Sequence, residues 1–215
     1  MSMKNHNRAI YSAECCHKEL TKMLSEARES FEVWKSFAGV TLDLEWNDLS
    51  YYSPFLSATV TAHYITMIIN LYIIGDGDRK GHGICYLRRK LRCASILSDE
   101  QDLEWKICIN KAIPVHKKIE LVRNKHYAHR DEGYSWEKAM QESRLSYNEL
   151  DFLISLYYRI AEASATVLNP IFINEEMVKA HVKESISNTK AALLLYQPIV
   201  KAEDDEEIMR YNRFQ

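Results

Sequence analysis

The chain has 215 residues, 47% of them hydrophobic and 27% charged, with a formal net charge of −2. These are the values of an ordinary globular protein long enough to bury a substantial core. The near-neutral balance excludes a global electrostatic signature of nucleic-acid binding, so any such role needs a local patch.

Six glycines and four prolines are few for a strand-rich fold with many tight turns, and they favour helices. Cys15, Cys16, Cys85, Cys93 and Cys108 form no C-x-x-C pair, and their odd number fits a reducing cytoplasm. The polar start, Met1 to Arg8, lacks the apolar core of a signal peptide. A cytoplasmic location is therefore expected.

The first helix is expected from near Ser12 to Phe37. Cys16, Leu20, Met23/Leu24, Ala27, Phe31, Trp34 and Phe37 recur there at three- and four-residue spacing. The connector from Val40 to Tyr52 has no resolvable pattern. Ser53-Pro54 then reads as an N-cap followed by proline at the first helical position, opening a helix that ends at Gly75-Asp76-Gly77-Asp78. Phe55 to Ile74 lacks Asp, Glu, Lys and Arg. Its Ser, Thr, His and Asn residues favour a core helix buried on most sides over a membrane span.

The stretch from Arg79 to Arg92 carries Arg79, Lys80, Arg88, Arg89, Lys90 and Arg92 with no acidic residue among them. Ile84, Leu87, Leu91 and Ala94 make one apolar face, so the cations are expected to point outward. They would form either a solvated face or a patch for a polyanion such as RNA.

Ser98-x-x-Gln101 is a capping-box pattern that opens a third long helix. Leu103, Ile107, Ala112, Val115, Ile119 and Val122 form its expected apolar stripe, Pro114 should kink it, and the pattern stops near Ala128. A polar loop containing Gly133 is expected up to Arg144. Ser146-x-x-Glu149 starts a fourth helix with Leu150, Leu153/Ile154, Tyr157, Ile160/Ala161, Ser164 and Val167/Leu168 facing inward, and Asn169-Pro170 ends it. Asn174 caps a fifth with Val178, His181, Ile186, Ala191 and Leu194 among its residues, before an acidic tail at 203–207.

The chemistry is concentrated at Leu121–Asp131. Arg123, His126 and Tyr127 share one helical face, and a turn at the helix end can bring His129 back toward Arg123. A guanidinium offers a fork for two phosphate oxygens. An imidazole trades protons near neutrality. Together they suit attack of an RNA 2′-hydroxyl on its neighbouring phosphate without a metal or other cofactor, and a two-fold dimer would supply two such sets across a shared cleft. The residues alone favour the plainer arrangement in which Arg123 pairs with a carboxylate such as Asp131 while His126 and His129 cap the helix. A metal site of His126, His129 and Asp131 is a third option, weakened by how close these lie along the chain.

The string Arg123-Asn124-Lys125-His126-Tyr127-Ala128-His129 resembles the signature of the HEPN superfamily: an arginine, a polar neighbour and, a few positions on, a histidine. Here the pattern is Arg-Asn-x4-His. The longer string to Asp131 is similar to the abortive-infection branch related to AbiU proteins. The resemblance implies a helical bundle and a homodimer, and with the residue pattern above the expectation is an all-α, up-and-down bundle of four to five helices with a kinked third long helix. Its core would span about 12–168, with a C-terminal arm and tail at about 174–215.

The resemblance also implies metal-independent RNA cleavage by a toxin or antiviral effector, with RNA as substrate. Arg123 would contact phosphate, Asn124 would be the polar neighbour and His129 would act on protons. His126, Tyr127 and Asp131 would support them. The non-catalytic alternative is a helical module that binds RNA, a nucleotide or a protein. A nucleotidyltransferase-type antitoxin is an expected partner. Some members regulated in that way carry a tyrosine where this chain has Asp131, and Tyr127 is the nearest substitute.

Overall fold

Apolar residues at helical spacing, punctuated by caps, become a helical bundle. A computed structural model describes residues 3–37, 53–77, 83–128, 136–168, 174–189 and 191, and among these there is no strand. The elements are α1 (Met3–Phe37), α2 (Ser53–Gly75), α3 (Ile84–Cys93), α4 (Asp99–Ala128), α5 (Trp136–Ser143) and α6 (Tyr147–Leu168), followed by α7 over 175–189. The expectation of four to five helices is corrected upward by α3 and α5. The eight residues of α5 lie where a polar loop was expected. So short a helix depends on its neighbour rather than on its own propensity. It packs on α4, and Lys125 of α4 pairs with Glu142 of α5.

The local punctuation behaves as the residue pattern demands. In the Ser98 box, Gln101 N–H donates to Ser98 Oγ (3.2 Å) and Ser98 N–H donates to Gln101 Oε1 (3.0 Å). The Ser146 box repeats this with Glu149 at 3.2 and 3.0 Å. Asn174 Oδ1 accepts from the amides of Glu176 and Met177 at 2.8 and 3.2 Å. Each arrangement satisfies amides that a helix start leaves without partners. α1 begins at Met3, nine residues ahead of the expected Ser12. This places Ala9 in the core and lets Ser12 Oγ meet the Tyr86 hydroxyl at 3.2 Å. α4 continues unbroken through Pro114.

α1 is the spine. Ser30 meets His63 and Glu26 meets Asn70, so α2 runs antiparallel to its C-terminal half. Ser12 meets Tyr86 and Cys16 Sγ reaches the Gly83 carbonyl, so α3 lies on its N-terminal half. His17 meets Ser164 and Arg28 meets Asp151, which sets α6 antiparallel on another side. Lys118 meets Glu149 between α4 and α6. This is an up-and-down arrangement. Trp34 of α1, stacked on Tyr147 of α6 (4.4 Å, 18°) and tilted against Tyr64 of α2 (5.2 Å), joins three helices in the core.

Two stripes differ from expectation. In α4 the buried apolar positions are Trp105, Ala112, Val115, Ile119 and Val122, whereas Leu103 and Ile107 are 58% and 47% exposed. In α7, Val178, Val182 and Ile186 pack on Val33 and Phe37, and His181 faces outward. Ala58–Gly75 of α2 is long and apolar enough to cross a membrane, but Tyr64, Met67, Ile68, Asn70, Leu71 and Ile74 are buried within the fold. Burial reaches 33% of that window rather than most sides, because α1 and α4 cover one flank and leave the other half-buried.

α7 is tied down electrostatically. Arg28 is fully buried and donates to Asp151, Ser155 and Glu175, and to Glu32 at 3.1 Å. One guanidinium thus links α1, α6 and the first residue of α7.

Candidate active site

The last turns of α4 carry Arg123, and α2 determines how it is held. The guanidinium lies over the Tyr72 ring, 4.5 Å from its centroid, an attraction between a cation and the negative face of the ring. Its Nη1 donates to Asn124 Oδ1 at 2.7 Å. Among the described residues no carboxylate pairs with it. A half-buried arginine oriented by a ring and an amide can present its planar fork to an anionic oxygen.

Two helical turns earlier, His116 stacks on the same Tyr72 (5.7 Å, 13°) and its Nε2 donates to the Tyr72 carbonyl at 3.1 Å. His116 and Arg123 stand seven residues apart, on one face of α4. Both therefore rest on one side chain of α2.

His126 and Tyr127 lie in the final turn of α4, which the helical spacing anticipated; their side chains lie outside the described residues. His129, Asp131, Arg79 and Lys80 also lie outside them. The metal alternative of His126, His129 and Asp131 falls there as well, as does a pairing of Arg123 with Asp131.

The basic segment is partly neutralised. Arg88 Nε and Nη2 donate to Asp102 Oδ1 and Oδ2 at 2.7 and 2.9 Å, and Lys106 and Arg92 stand 3.2 and 3.7 Å from the same carboxylate. The Arg88 hydrogen bonds hold the Asp102 carboxyl below the usual carboxylate range, against the opposing effect of burial. Lys90 sits over the Tyr86 ring at 5.0 Å. Arg89 and Arg92 remain exposed. Arg88, Arg89 and Arg92 line a groove of about 460 Å³ together with Cys85 and Cys93. Asp102 comes from α4, so the absence of acids within the Arg79–Arg92 stretch could not foretell this pairing.

Tyr72 and His116 escaped the sequence reading. The aromatic of α2 resembled any core residue, and the one available signal was the seven-residue interval from His116 to Arg123. The match to a family model now decides the lineage: residues 13–169 match the HEPN model described as AbiU2.

The chain belongs to the AbiU2 family of HEPN proteins. The matched residues run from α1 through α6 and include Arg123 to His129, while α7 lies beyond them. Membership places this AbiU2-family protein among abortive-infection proteins. Comparison with curated proteins and with solved structures returned no match.

Proposed function

We propose that this AbiU2-family protein is a metal-independent endoribonuclease acting as a toxin or antiviral effector, with Arg123 and His129 working at the cleft of a homodimer. The placement of Arg123 carries the reading. A guanidinium oriented by Tyr72 and Asn124 at the end of α4 can grip two phosphate oxygens and offset charge as it develops. His129 takes the proton of the RNA 2′-hydroxyl, the 2′-oxygen attacks phosphorus, and the P–O5′ bond breaks. The products are a 2′,3′-cyclic phosphate and a 5′-hydroxyl. The leaving 5′-oxygen takes a proton from the second histidine of the dimer. A nucleotidyltransferase-type antitoxin is the neutralising partner this reading implies.

The test incubates the purified full chain with total cellular RNA and sequences the 5′-hydroxyl ends. Arg123→Ala and His129→Ala are expected to lower cleavage by about a hundredfold or more, with helical content and dimer mass in light scattering unchanged. EDTA should leave cleavage intact. A strict magnesium requirement would count against this chemistry. RNA binding without cleavage, lost in Arg123→Ala, would make the protein a binding module instead.

A further inference from the structure

A cavity of about 200 Å³ opens between the C-terminal turn of α2, α3, α4 and α6, and its lining residue His116 stacks on the same Tyr72 ring as Arg123. Sites for drug-sized ligands measure roughly 300–1,000 Å³, so this one suits a single ring system. Its walls include Ile84, Ile109, Ala112 and Ile113.

Its polar groups are placed by packing. Gly75 closes α2, and a Cβ there would stand 2.1 Å from His116 Cδ2 and 2.5 Å from both His116 Nε2 and the Tyr157 hydroxyl. The glycine is needed for space, and imidazole and phenol converge on it. Tyr157 is 2% exposed, and burial pushes its phenol far above the ordinary value, so the hydroxyl stays a donor. His116 spends its Nε2 proton on the Tyr72 carbonyl, which in the neutral ring leaves Nδ1 as an acceptor. Lys117 and Glu120 add a donor and an acceptor at the rim. A ligand with apolar faces and an edge carrying both donors and acceptors matches this set.

The surroundings say which ligand. Cys85 lines both this cavity and the arginine-lined groove of α3. On the other side, His116, Glu120 and Arg123 follow one another along one face of α4, roughly 10 Å from first to last at 1.5 Å per residue. The cavity thus shares Cys85 with the cationic groove, and its His116 shares the Tyr72 ring with Arg123. Single-stranded RNA is read in this way, by bases splayed out of the stack and hydrogen-bonded on their edges.

We propose that the cavity is a base-recognition subsite: it takes one unstacked nucleobase of single-stranded RNA next to the phosphate held by Arg123, and His116 and Tyr157 read its edge. This rests on the ribonuclease reading for its substrate, and it makes cleavage base-selective.

The experiment measures binding of the full chain to four pentanucleotides, one of each base, whose 2′-fluoro sugars lack the attacking hydroxyl. In parallel, cut sites are sequenced on a random single-stranded RNA pool. One base is expected to bind about tenfold more tightly than the weakest, and to be enriched beside the cut. Tyr157→Phe removes one oxygen and keeps the packing; it should reduce the preference to about threefold or less while the other pentamers bind as before. Ile113→Trp, at the 44%-exposed rim, should block the preferred base and leave the melting temperature intact. Equal binding of all four pentamers overturns the subsite, as does a preference unchanged in both variants. Base-selective binding that Tyr157→Phe abolishes, without any cleavage, upholds the subsite and removes the ribonuclease reading.

Discussion

Arg123 shows how much a functional side chain owes to one neighbour. Its contact with the Tyr72 ring contributes roughly 0.5–1 kcal/mol at a half-exposed site, a small energy that decides direction rather than affinity. Tyr72→Phe keeps the ring and should leave RNA cleavage near the wild-type rate. Tyr72→Leu should lower kcat about two- to fivefold with little change in KM, a split that a merely destabilised fold would not produce. Equal losses in both variants would show that the phenol oxygen, not the ring face, is what matters.

His17 is the other residue with a measurable signature. It is 1% exposed, with Nδ1 2.8 Å from Ser164 Oγ, and burial lowers its pKa from 6.5. The unfolded chain then binds the proton more readily than the folded one. Stability is therefore complete above pH 6.5 and declines as pH falls below that value and through the folded one. Burial gives His63 the same sign. Thermal melts should show a midpoint flat above pH 6.5 that drops on acidification, with a shallower drop in His17→Gln. A midpoint that rises on acidification would contradict this origin.

Helices are where the residue pattern was most and least legible. The Ser98, Ser146 and Asn174 caps could be named in advance because each bond spans two or three residues. Ser146→Ala should destabilise the protein by about 1 kcal/mol, read as a lower denaturant midpoint with unchanged slope. An unchanged midpoint would mean α6 is held by packing alone.

α4 was harder. The expected stripe joined Leu103 and Ile107 to Ala112, Val115, Ile119 and Val122, although Trp105, seven residues before Ala112, fits that face as well. The structure buries Trp105 with the last four and leaves Leu103 and Ile107 exposed. α5 was illegible because a helix of eight residues gains its stability from α4, not from its own pattern.

For the whole molecule the buried Arg28 is the joint that holds α7 to the bundle. Its side chain is fully buried, whereas the Asp151 side chain is 49% exposed and that of Glu175 16%. Arg28→Met removes the cation that Asp151 and Glu175 share, leaving Glu175 only Lys179 at 3.2 Å. Breaking such a pair from one side costs about 3–5 kcal/mol when both partners are buried, and the exposure of Asp151 points to the lower end, about 3 kcal/mol. Limited proteolysis should then cut first within 174–189, ahead of the bundle. Simultaneous loss of the entire fold would instead make Arg28 part of the common core.

The amino-acid order by itself determined that this chain is helical, where most of its helices start, that α1 and α6 each carry one buried stripe, and that Arg123 and Asn124 close α4. These properties come from interactions among residues three or four apart, which the order of side chains specifies directly. Tertiary structure alone decided that Asp102 takes up Arg88, that Tyr72 and His116 accompany Arg123, and that Gly75 makes room for a cavity shared with Tyr157. Those partners lie from 14 to more than 80 residues apart along the chain. Their meeting depends on which faces of the helices pack together, a choice made by the fit of whole surfaces rather than by any local pattern. The Leu121–Asp131 stretch could thus be singled out from its own residues, while the ring that aims its arginine and the space beside it came from helices elsewhere in the bundle.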